Sequence, residues 1–217
     1  MKLYFTRHGK TQWNAERRFQ GMMGDSPLLA SSYQEIELLA KAIQTIPFEH
    51  IYSSSAMRAQ TTARELEKGL SRSIPITYTD DLKELGLGLL EGQSIDEMSA
   101  RYPQELSNLR HNLAAYQPTV FMGEPIEAAL NRMQQVVIEA VAKHNGPLLF
   151  VGHGASMTAG IQWLLGKELA QLREMGGLFN NSLTILETTD SLTPPFTLKT
   201  WNDTSFLTDS ANHDALL

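Results

Sequence analysis

Cysteine is absent from this chain of 217 residues. A disulfide framework and a cysteine-ligated zinc site are therefore excluded, as are the phosphatases and proteases that use a cysteine nucleophile. Any covalent nucleophile has to be sought among the other side chains.

The chain also lacks an excess of positive charge. Its 18 Lys and Arg residues and 24 Asp and Glu residues give a formal net charge of −6, which argues against nucleic acid or an anionic membrane as the main partner. Screening over about 8 Å at physiological salt still permits a local group of cations to hold a small anion. No apolar run approaches membrane-spanning length, and the amino terminus leads into a strand pattern without a signal region, so we expect a cytoplasmic protein.

Two short apolar segments, far apart in the chain, each lead into a His-Gly pair. Residues 3–7 precede His8-Gly9, and residues 148–152 precede His153-Gly154. Apolar runs of this length are typical of buried parallel strands, and ligands of open α/β sheets bind beyond the carboxyl ends of such strands. We therefore expect His8, His153 and Arg7 to meet in one pocket, which would suit phosphate.

Strand-like and helical patterns alternate along the chain, which favours a layered α/β fold. We expect one domain over residues 1–217. The first two predicted helices cover 32–46, with a capping box at Ser32 and Glu35, and the segment from a Ser55 cap through Leu70. A helical excursion follows over 82–122, with a capping box at Ser94 and Glu97. The last two predicted helices are a long one from about Pro125 and one over 156–165. The predicted strands after the first are 48–53, an edge strand over 74–78 interrupted by Pro75, 148–152, 183–187 and 197–201, followed by a polar, frayed tail from about Asp203.

A set of motifs in a fixed order resembles one known family. The set consists of Thr6-Arg7-His8-Gly9-Lys10-Thr11 with Asn14, residues 53–61 around Arg58, Glu84 and Gly152-His153-Gly154, together with Arg18-Phe19-Gln20-Gly21, Ser26-Pro27-Leu28 and Trp201-Asn202-Asp203. In this order the motifs are similar to those of the histidine phosphatase superfamily, also called the phosphoglycerate mutase-like family. The resemblance covers nearly the whole chain.

What the resemblance implies is a three-layer α/β/α sandwich with a mostly parallel central sheet, a helical excursion over the active site, and phosphoryl transfer through a phosphohistidine. Carried over by position, His8 is the nucleophile, Glu84 the proton donor and acceptor, and His153 a further catalytic residue in the phosphate clamp. The implied substrate-binding residues are Arg7, Asn14, Gln20, Gly21 and Arg58. No metal and no cofactor are implied.

The chemistry of these residue types supports the implied roles. Neutral imidazole, with an ordinary pKa of about 6.5, offers a lone pair near neutral pH if its other nitrogen donates to a backbone carbonyl. Guanidinium forks at Arg7 and Arg58 match the negative charge that spreads over the equatorial oxygens in the transition state. Repulsion from a bound dianion favours the protonated form of Glu84, which can protonate the leaving alkoxide and afterwards activate water.

Two other interpretations of these motifs fail on spacing. Gly9-Lys10-Thr11 matches the end of a phosphate-binding P-loop, but Tyr4 stands where the earlier glycine is required. The pair His8 and His153 suggests a metal site, but no carboxylate or third imidazole follows at ligand spacing. The remaining histidines match no functional position, and we expect surface or structural roles for them: His50, His111, His144 and His213.

The segment after Glu84 bears on the substrate. Dedicated phosphoglycerate mutases follow the catalytic glutamate with basic and aromatic residues, whereas residues 85–90 read Leu-Gly-Leu-Gly-Leu-Leu here, similar to the phosphatase branch. We therefore expect hydrolysis of a small-molecule phosphomonoester. Phosphoglycerate mutase-type transfer is one alternative, and a phospho-ligand binding protein with little activity is the other. No unpaired apolar stripe points to a particular oligomeric state.

Overall fold

The computed structural model describes residues 1–188 and 192–207. This part of the chain contains one six-stranded sheet, with strands Lys2–Arg7 (β1), His50–Ser54 (β2), Ile76–Thr79 (β3), Leu148–Gly152 (β4), Leu183–Glu187 (β5) and Thr197–Asp203 (β6). The strand order is β3-β2-β4-β1-β5-β6. The first four strands in this order are mutually parallel, whereas β5 and β6 are antiparallel to their neighbours. The sheet is mostly parallel, as the resemblance implies.

The helices of the described residues lie between these strands in the chain, singly or in groups. They are Gln12–Ala15 (α1), Ala30–Ile43 (α2), Met57–Gly69 (α3), Ile95–Arg101 (α4), Pro103–His111 (α5), Ile126–Lys143 (α6) and Gly154–Leu164 (α7). Short 3-10 turns lie at Asp80–Leu82, Gly88–Leu90, Pro118–Phe121 and Leu169–Gln171. No described helix combines the length and the apolar character that crossing a bilayer requires.

Both faces of the central strands are buried, which gives three layers. Successive strand residues point to opposite faces. Leu3 and Phe5 of β1 pack on one face with side chains of α6 and α7. Tyr4, between them, packs on the other face with side chains of α2 and α3. The apolar runs of β1 and β4 therefore belong to strands covered on both sides, and the three-layer α/β/α prediction is confirmed.

The segment between β3 and α6 forms a third apolar cluster beside the sheet. Its members include residues of this segment such as Leu90, Ile95, Leu106 and Phe121, together with residues of α6 and with Ala155 near the start of α7. Since α7 follows β4, this packing places the predicted helical excursion over the carboxyl end of the sheet. The prediction that Ser94 caps a helix is confirmed, because its hydroxyl oxygen accepts from the backbone N–H of Glu97 at 3.3 Å.

Two predicted helix caps are wrong. Helix α2 begins at Ala30 after Leu29, and the hydroxyl of Ser32 donates to the carbonyl of Lys10 at 2.7 Å instead of capping the helix. Helix α3 begins at Met57, two residues after Ser55, whose hydroxyl donates to the carboxylate of Asp80. In both cases the helix begins at a different residue from the predicted one, and neither helix has a side-chain cap.

The other predicted boundaries differ from the structure by a few residues. The long helix α6 starts at Ile126, and Pro125 is its N-cap residue, not its first helical residue. Strand β3 is an edge strand as predicted, but it begins after Pro75. Strand β6 continues to Asp203, so the predicted tail starts later. The predicted frayed tail from residue 208 on, including His213, lies outside the described residues.

Candidate active site

The two His-Gly pairs meet at the carboxyl ends of adjacent parallel strands. In the register of β1 and β4, Arg7 is the partner of Gly152, and the N–H of His8 donates to the carbonyl of Gly152 at 2.9 Å. The rings of His8 and His153 then lie with their centroids 5.2 Å apart. Both side chains are buried. The structure thus brings together the residues that the sequence placed at two separate strand ends.

The ring of His8 is held in one tautomer by its own neighbour. Its Nδ1 lies 2.8 Å from the carbonyl oxygen of Gly9, which can only accept, so Nδ1 carries the proton. Burial, followed by the charges of Arg58 and Arg7, holds the pKa of His8 well below its usual 6.5. The neutral ring therefore presents a lone pair on Nε2, and the Nε of Arg58 donates to it at 3.3 Å.

The guanidinium of Arg58 is hydrogen-bonded to the loop of residues 21–25, which precedes Pro27. One guanidinium nitrogen, Nη1, donates to the carbonyl of Gly24 at 2.8 Å and to the carboxylate of Asp25 at 3.2 Å, and Nη2 donates to the carbonyl of Gly21 at 3.0 Å. The second oxygen of Asp25 accepts from the N–H of Met57 at 2.6 Å, at the start of α3. Burial lowers the pKa of Arg58 and the Asp25 charge opposes that shift. This loop therefore fixes the direction of the guanidinium.

Asp25 is a site residue that the motif comparison did not select. It stands directly before Ser26-Pro27-Leu28, one of the segments that resemble the family. The sequence signal for this residue was its acidic side chain, because a buried arginine elsewhere in the chain needs a negatively charged partner. Which arginine it pairs with depends on the folded chain.

Arg7 and Gly154 lie in close contact across the two strand ends. The Nη1 of Arg7 donates to the carbonyl of Leu178 at 2.8 Å. A Cβ atom on residue 154 would lie 3.0 Å from the Arg7 Cζ, so a side chain there would press on the guanidinium. The glycine of the second His-Gly pair thus leaves room for the arginine of the first pair.

Asn14 and Gln20 belong to one polar network around Thr11. Thr11 caps α1, and its N–H donates to the Asn14 side-chain oxygen at 3.0 Å. The Thr11 hydroxyl lies 2.8 Å from the side-chain oxygen of Gln20 and donates to it. The side-chain oxygen of Asn14 accepts from Thr11. The side-chain amide nitrogen of Asn14 is the atom that can donate to an anion.

The carboxylate of Glu84 lies against the amino-terminal end of α7. Its oxygens accept from the N–H groups of Leu85 at 2.8 Å, Ala155 at 2.9 Å and Ser156 at 2.6 Å. Ala155 and Ser156 are in the first turn of α7, where N–H groups have no partner within the helix. Three backbone N–H donors therefore fix the position of the Glu84 carboxyl group at the end of α7.

Arg132 and Glu124 hold the segment that carries Glu84. The Arg132 guanidinium donates to the backbone carbonyls of Asp81, Lys83 and Glu84 at 2.8, 2.8 and 3.0 Å. It also forms a bidentate pair with the carboxylate of Glu124 at 2.8 and 2.9 Å. Arg132 was not among the predicted site residues, and its position on the amphipathic helix α6 carried no sequence signal for this role.

Most of the predicted site residues line one cavity. Its lining residues are Arg7, His8, Asn14, Arg18, Phe19, Gln20, Glu84, Ile95, Gly154 and Ala155. Gly21, Arg58 and His153 are not in the cavity lining. A Cβ on residue 21 would meet the Glu91 carboxylate at 2.5 Å, so glycine is required where the 21–24 loop meets the segment after Glu84.

His153 contacts a serine from the neighbouring strand. Its Nε2 lies 2.7 Å from the hydroxyl oxygen of Ser54, the last residue of β2. Burial, followed by the charge of Arg58, holds the pKa of His153 well below 6.5. The ring is therefore neutral at neutral pH, like that of His8.

No cluster of three His, Cys, Asp or Glu side chains suited to a metal ion is found among residues 1–188 and 192–207. Arg7 and Arg58 lie next to the two histidines, and Arg18 also lines the cavity. The arrangement therefore offers a neutral imidazole lone pair, two guanidinium groups and a carboxylate.

Comparisons with known proteins give one consistent family. Residues 3–204 match the family model described as "Histidine phosphatase superfamily (branch 1)". The probable phosphoglycerate mutase GpmB of Citrobacter koseri is 30% identical over 213 residues, which is 95% of each chain.

Two solved structures share the fold and part of the sequence. Bacillus stearothermophilus YhfR superposes with a TM-score of 0.85 and 31% identity, covering 94% of this chain and 98% of that one. A mycobacterial glucosyl-3-phosphoglycerate phosphatase in complex with VO3 superposes with a TM-score of 0.82 and 26% identity, covering 93% and 98% of the two chains.

Proposed function

The chain belongs to the histidine phosphatase superfamily, and on that premise we propose that it hydrolyses small phosphomonoesters through a phosphohistidine on His8. The observation that supports this best is the state of the His8 ring. Its Nδ1–H donates a hydrogen bond to the Gly9 carbonyl, and its Nε2 lone pair lies beside the Arg58 guanidinium. A nucleophilic nitrogen next to a fixed cation suits attack on a phosphoryl group.

The proposed reaction has two displacements. In the first, Nε2 of His8 forms a bond to phosphorus, the bond from phosphorus to the ester oxygen breaks, and Glu84 gives the leaving oxygen a proton. In the second, water attacks the phosphohistidine while Glu84 takes its proton, and inorganic phosphate and free His8 are released. Arg7 and Arg58 compensate the charge on the equatorial oxygens in both steps.

Glu84 needs two protonation states in this scheme. The three N–H donors that bind its carboxylate in this structure suit the second step, in which an ionised base is required. In the first step the phosphoryl dianion stands beside the same carboxyl, and like-charge repulsion favours the protonated form. Glu84 thus alternates as acid and base as the charge of the bound group changes.

The set of cations in the cavity favours hydrolysis over transfer to a second anionic ligand. Among the lining residues, the arginines are Arg7 and Arg18. Arg18 is already bonded to the Glu16 carboxylate at 2.8 Å and to the Gly92 carbonyl at 3.0 Å. A phosphoglycerate mutase has to hold a carboxylate in addition to a phosphate, and among the described residues that line this cavity there is no further Lys or Arg to do so.

A mutase of a small phosphorylated metabolite is the second candidate. It is favoured by the names of the curated relatives, since three proteins at 30 to 32% identity are named probable phosphoglycerate mutase GpmB. Both functions share the phosphohistidine and differ in what accepts the phosphoryl group. The acceptor is water in a phosphatase and a second substrate hydroxyl in a mutase.

Phosphate release from p-nitrophenyl phosphate, compared between the wild type and His8→Ala, tests the proposal. We expect turnover by the wild type and its near-complete loss in the variant. The exposed His111→Ala should match the wild type and serves as the control. Turnover by His8→Ala near the wild-type rate would rule out the phosphohistidine.

A second assay separates the candidates. The wild type is incubated with 3-phosphoglycerate and a bisphosphoglycerate primer, and both isomer interconversion and phosphate release are followed. Phosphate release without interconversion supports the phosphatase, and primer-stimulated interconversion supports the mutase. Tight binding of inorganic phosphate without either reaction would instead indicate a phospho-ligand binding protein.

A further inference from the structure

The end of β2 places a buried serine beside the second histidine of the site. Strands β2 and β4 are parallel neighbours, with Ser53 in register with Val151. Ser54 and His153 follow these residues by one and two positions, at the same edge of the sheet. Both side chains are fully buried, and the hydroxyl oxygen of Ser54 lies 2.7 Å from Nε2 of His153.

The contacts of Ser54 determine which atom donates in this hydrogen bond. The Ser54 oxygen already accepts from the backbone N–H of Ala56 at 3.2 Å. Its single proton is directed to His153 Nε2, the acceptor that the structure offers it. If Nε2 were the donor instead, a buried serine proton would be left without an acceptor, which is costly.

This direction has a consequence for the other ring nitrogen. When Nε2 of a neutral imidazole accepts, the proton of the ring is on Nδ1. Nδ1 of His153 is buried and has no hydrogen-bond partner within the described residues. It belongs to a ring whose centroid lies 5.2 Å from that of His8. A buried N–H donor without a partner, next to the nucleophile, suits an oxygen of the transferred group.

We propose that Ser54 is a positioning residue that keeps His153 in its Nδ1–H tautomer, so that Nδ1 donates to the phosphoryl group on its way to and from His8. The role rests on the proposed function. The low pKa of His153 is consistent with it, because a neutral ring can donate from Nδ1 only in this tautomer. A serine in β2 thereby acts on the reaction without touching the substrate.

The tautomer itself is measured by nitrogen-15 NMR of the wild-type protein at pH 7.5, with labelled histidine and His153→Asn to assign the signal. We expect a protonated, pyrrole-type Nδ1 and a pyridine-type Nε2. The opposite pattern in the wild type would overturn the proposal. This readout needs no enzymatic activity and no Ser54 variant that folds.

Variants of Ser54 test the consequence for binding. In Ser54→Ala we expect the two ring nitrogens to average between tautomers, orthovanadate inhibition to weaken by about ten-fold and kcat/KM for p-nitrophenyl phosphate to fall by about the same factor. Ser54→Thr keeps the hydroxyl and should restore the wild-type tautomer and most of the activity. Unchanged tautomer and unchanged vanadate inhibition in Ser54→Ala would also overturn the proposal.

Ser53→Ala is the matched control. Ser53 is equally buried and its hydroxyl donates to the backbone carbonyl of Ser54, so its loss perturbs the same strand without removing the contact to His153. A His153 tautomer unchanged in Ser53→Ala and changed in Ser54→Ala assigns the effect to the hydroxyl of Ser54. If the wild type shows the expected tautomer but releases no phosphate, the proposed function fails while the role of Ser54 stands.

Discussion

The Nε–H of Arg58 lies 3.3 Å from Nε2 of His8, so the lone pair proposed to attack phosphorus is covered by a guanidinium donor. An incoming phosphoryl group has to replace this contact, and its oxygens then become the partners of the same guanidinium. During that exchange Arg58 keeps its hydrogen bonds to the carbonyls of Gly21 and Gly24, which use its other two guanidinium nitrogens. The cation therefore needs little reorganisation when substrate binds, which is the condition for effective electrostatic stabilisation.

The Arg58→Lys variant tests this arrangement. A lysine keeps the charge but cannot donate at once to His8, the loop carbonyls and Asp25. We expect kcat/KM for p-nitrophenyl phosphate to fall by roughly 10²–10³-fold, the usual effect of losing one preorganised donor. Arg64→Lys, on an exposed position of the same helix, should behave as the wild type. A loss below about three-fold in Arg58→Lys would show that charge alone is enough.

The Glu84→Ala variant separates the two proposed steps. With an alkyl phosphate, whose leaving oxygen needs a proton, we expect turnover to fall by roughly 10²–10⁴-fold. With p-nitrophenyl phosphate, whose leaving group needs little protonation, the first step persists and the second is slow. Rapid quenching should then show one equivalent of p-nitrophenol released as a burst and an acid-labile, base-stable phosphoenzyme. Equal losses on both substrates without a burst would contradict the assignment of Glu84.

Stability should decrease as the pH falls below about 6.5. His8 and His153 are buried with pKa values well below 6.5, so they stay neutral in the folded chain while the unfolded chain takes up protons. The unfolded state then binds more protons, and the free energy of unfolding decreases by about 1.4 kcal/mol per pH unit for each histidine. The contribution of burying the neutral rings is fully present above the unfolded pKa and is lost on acidification.

Urea unfolding at pH 6.5 and pH 5.5 measures this effect, with His8→Asn as the comparison. Other titrating groups, including His50, are common to both proteins. The variant lacks one of the two buried rings, so its loss of stability over this interval should be smaller than that of the wild type by about 1 kcal/mol. Identical pH dependence in the two proteins would mean that His8 does not stay neutral in the folded chain.

The Arg132 and Glu124 pair should stabilise the fold and position Glu84 together. Both side chains are mostly buried, and Arg132 donates to three carbonyls of the segment that ends at Glu84. In Arg132→Met we expect the free energy of unfolding to fall by about 3 kcal/mol, as for other broken buried pairs. We also expect kcat to fall, with a shifted acidic limb of the pH profile.

A second ion pair of the same helix provides the control. Lys143 and Glu139 are both exposed, with their charged atoms 3.4 Å apart. Lys143→Met should change the unfolding free energy by less than about 0.5 kcal/mol and leave kcat unchanged. Comparable effects of the two substitutions would show that Arg132 has no special relation to Glu84.

Activity should persist in excess EDTA. The proposed chemistry uses an imidazole nucleophile and the guanidinium groups of Arg7 and Arg58, so no step calls on a metal-bound water. We expect phosphate release from p-nitrophenyl phosphate to be unchanged after dialysis against the chelator. Loss of activity that is restored by a divalent cation would reverse this prediction.

Much of the site was predictable because its main groups follow strands. The apolar runs of β1 and β4 identify themselves by local pattern, and parallel strands present their carboxyl ends at one edge. His8, Arg7 and His153 are therefore placed together by information contained in short segments. The order of the motifs then extends the prediction to Arg58, which the structure places against His8, and to Asn14, which lines the cavity.

The helix caps at Ser32 and Ser55 were predicted incorrectly because a cap depends on where the folded chain begins the helix. A serine caps a helix only where its hydroxyl oxygen can accept from an N–H of the first turn, and a local pattern does not fix the residue at which the folded helix begins. In the folded chain α2 begins at Ala30 and α3 at Met57, and the hydroxyls of Ser32 and Ser55 donate to the Lys10 carbonyl and the Asp80 carboxylate. Ser94 stands directly before α4, and its hydroxyl oxygen accepts from the N–H of Glu97 as its pattern indicates.

Hydrophobic periodicity and motif order, both readable along the chain, were sufficient to predict the α/β architecture and the proximity of His8 and His153. The pairings of Asp25 with Arg58, Ser54 with His153, and Glu84 with the first turn of α7 join residues that are 33, 99 and 71 or 72 positions apart. Such contacts arise from how strands and loops assemble in three dimensions, because hydrogen-bond partners are chosen by distance and direction and not by sequence separation. Folding, not pattern, therefore chose the hydrogen-bond partners on which the proposed chemistry depends.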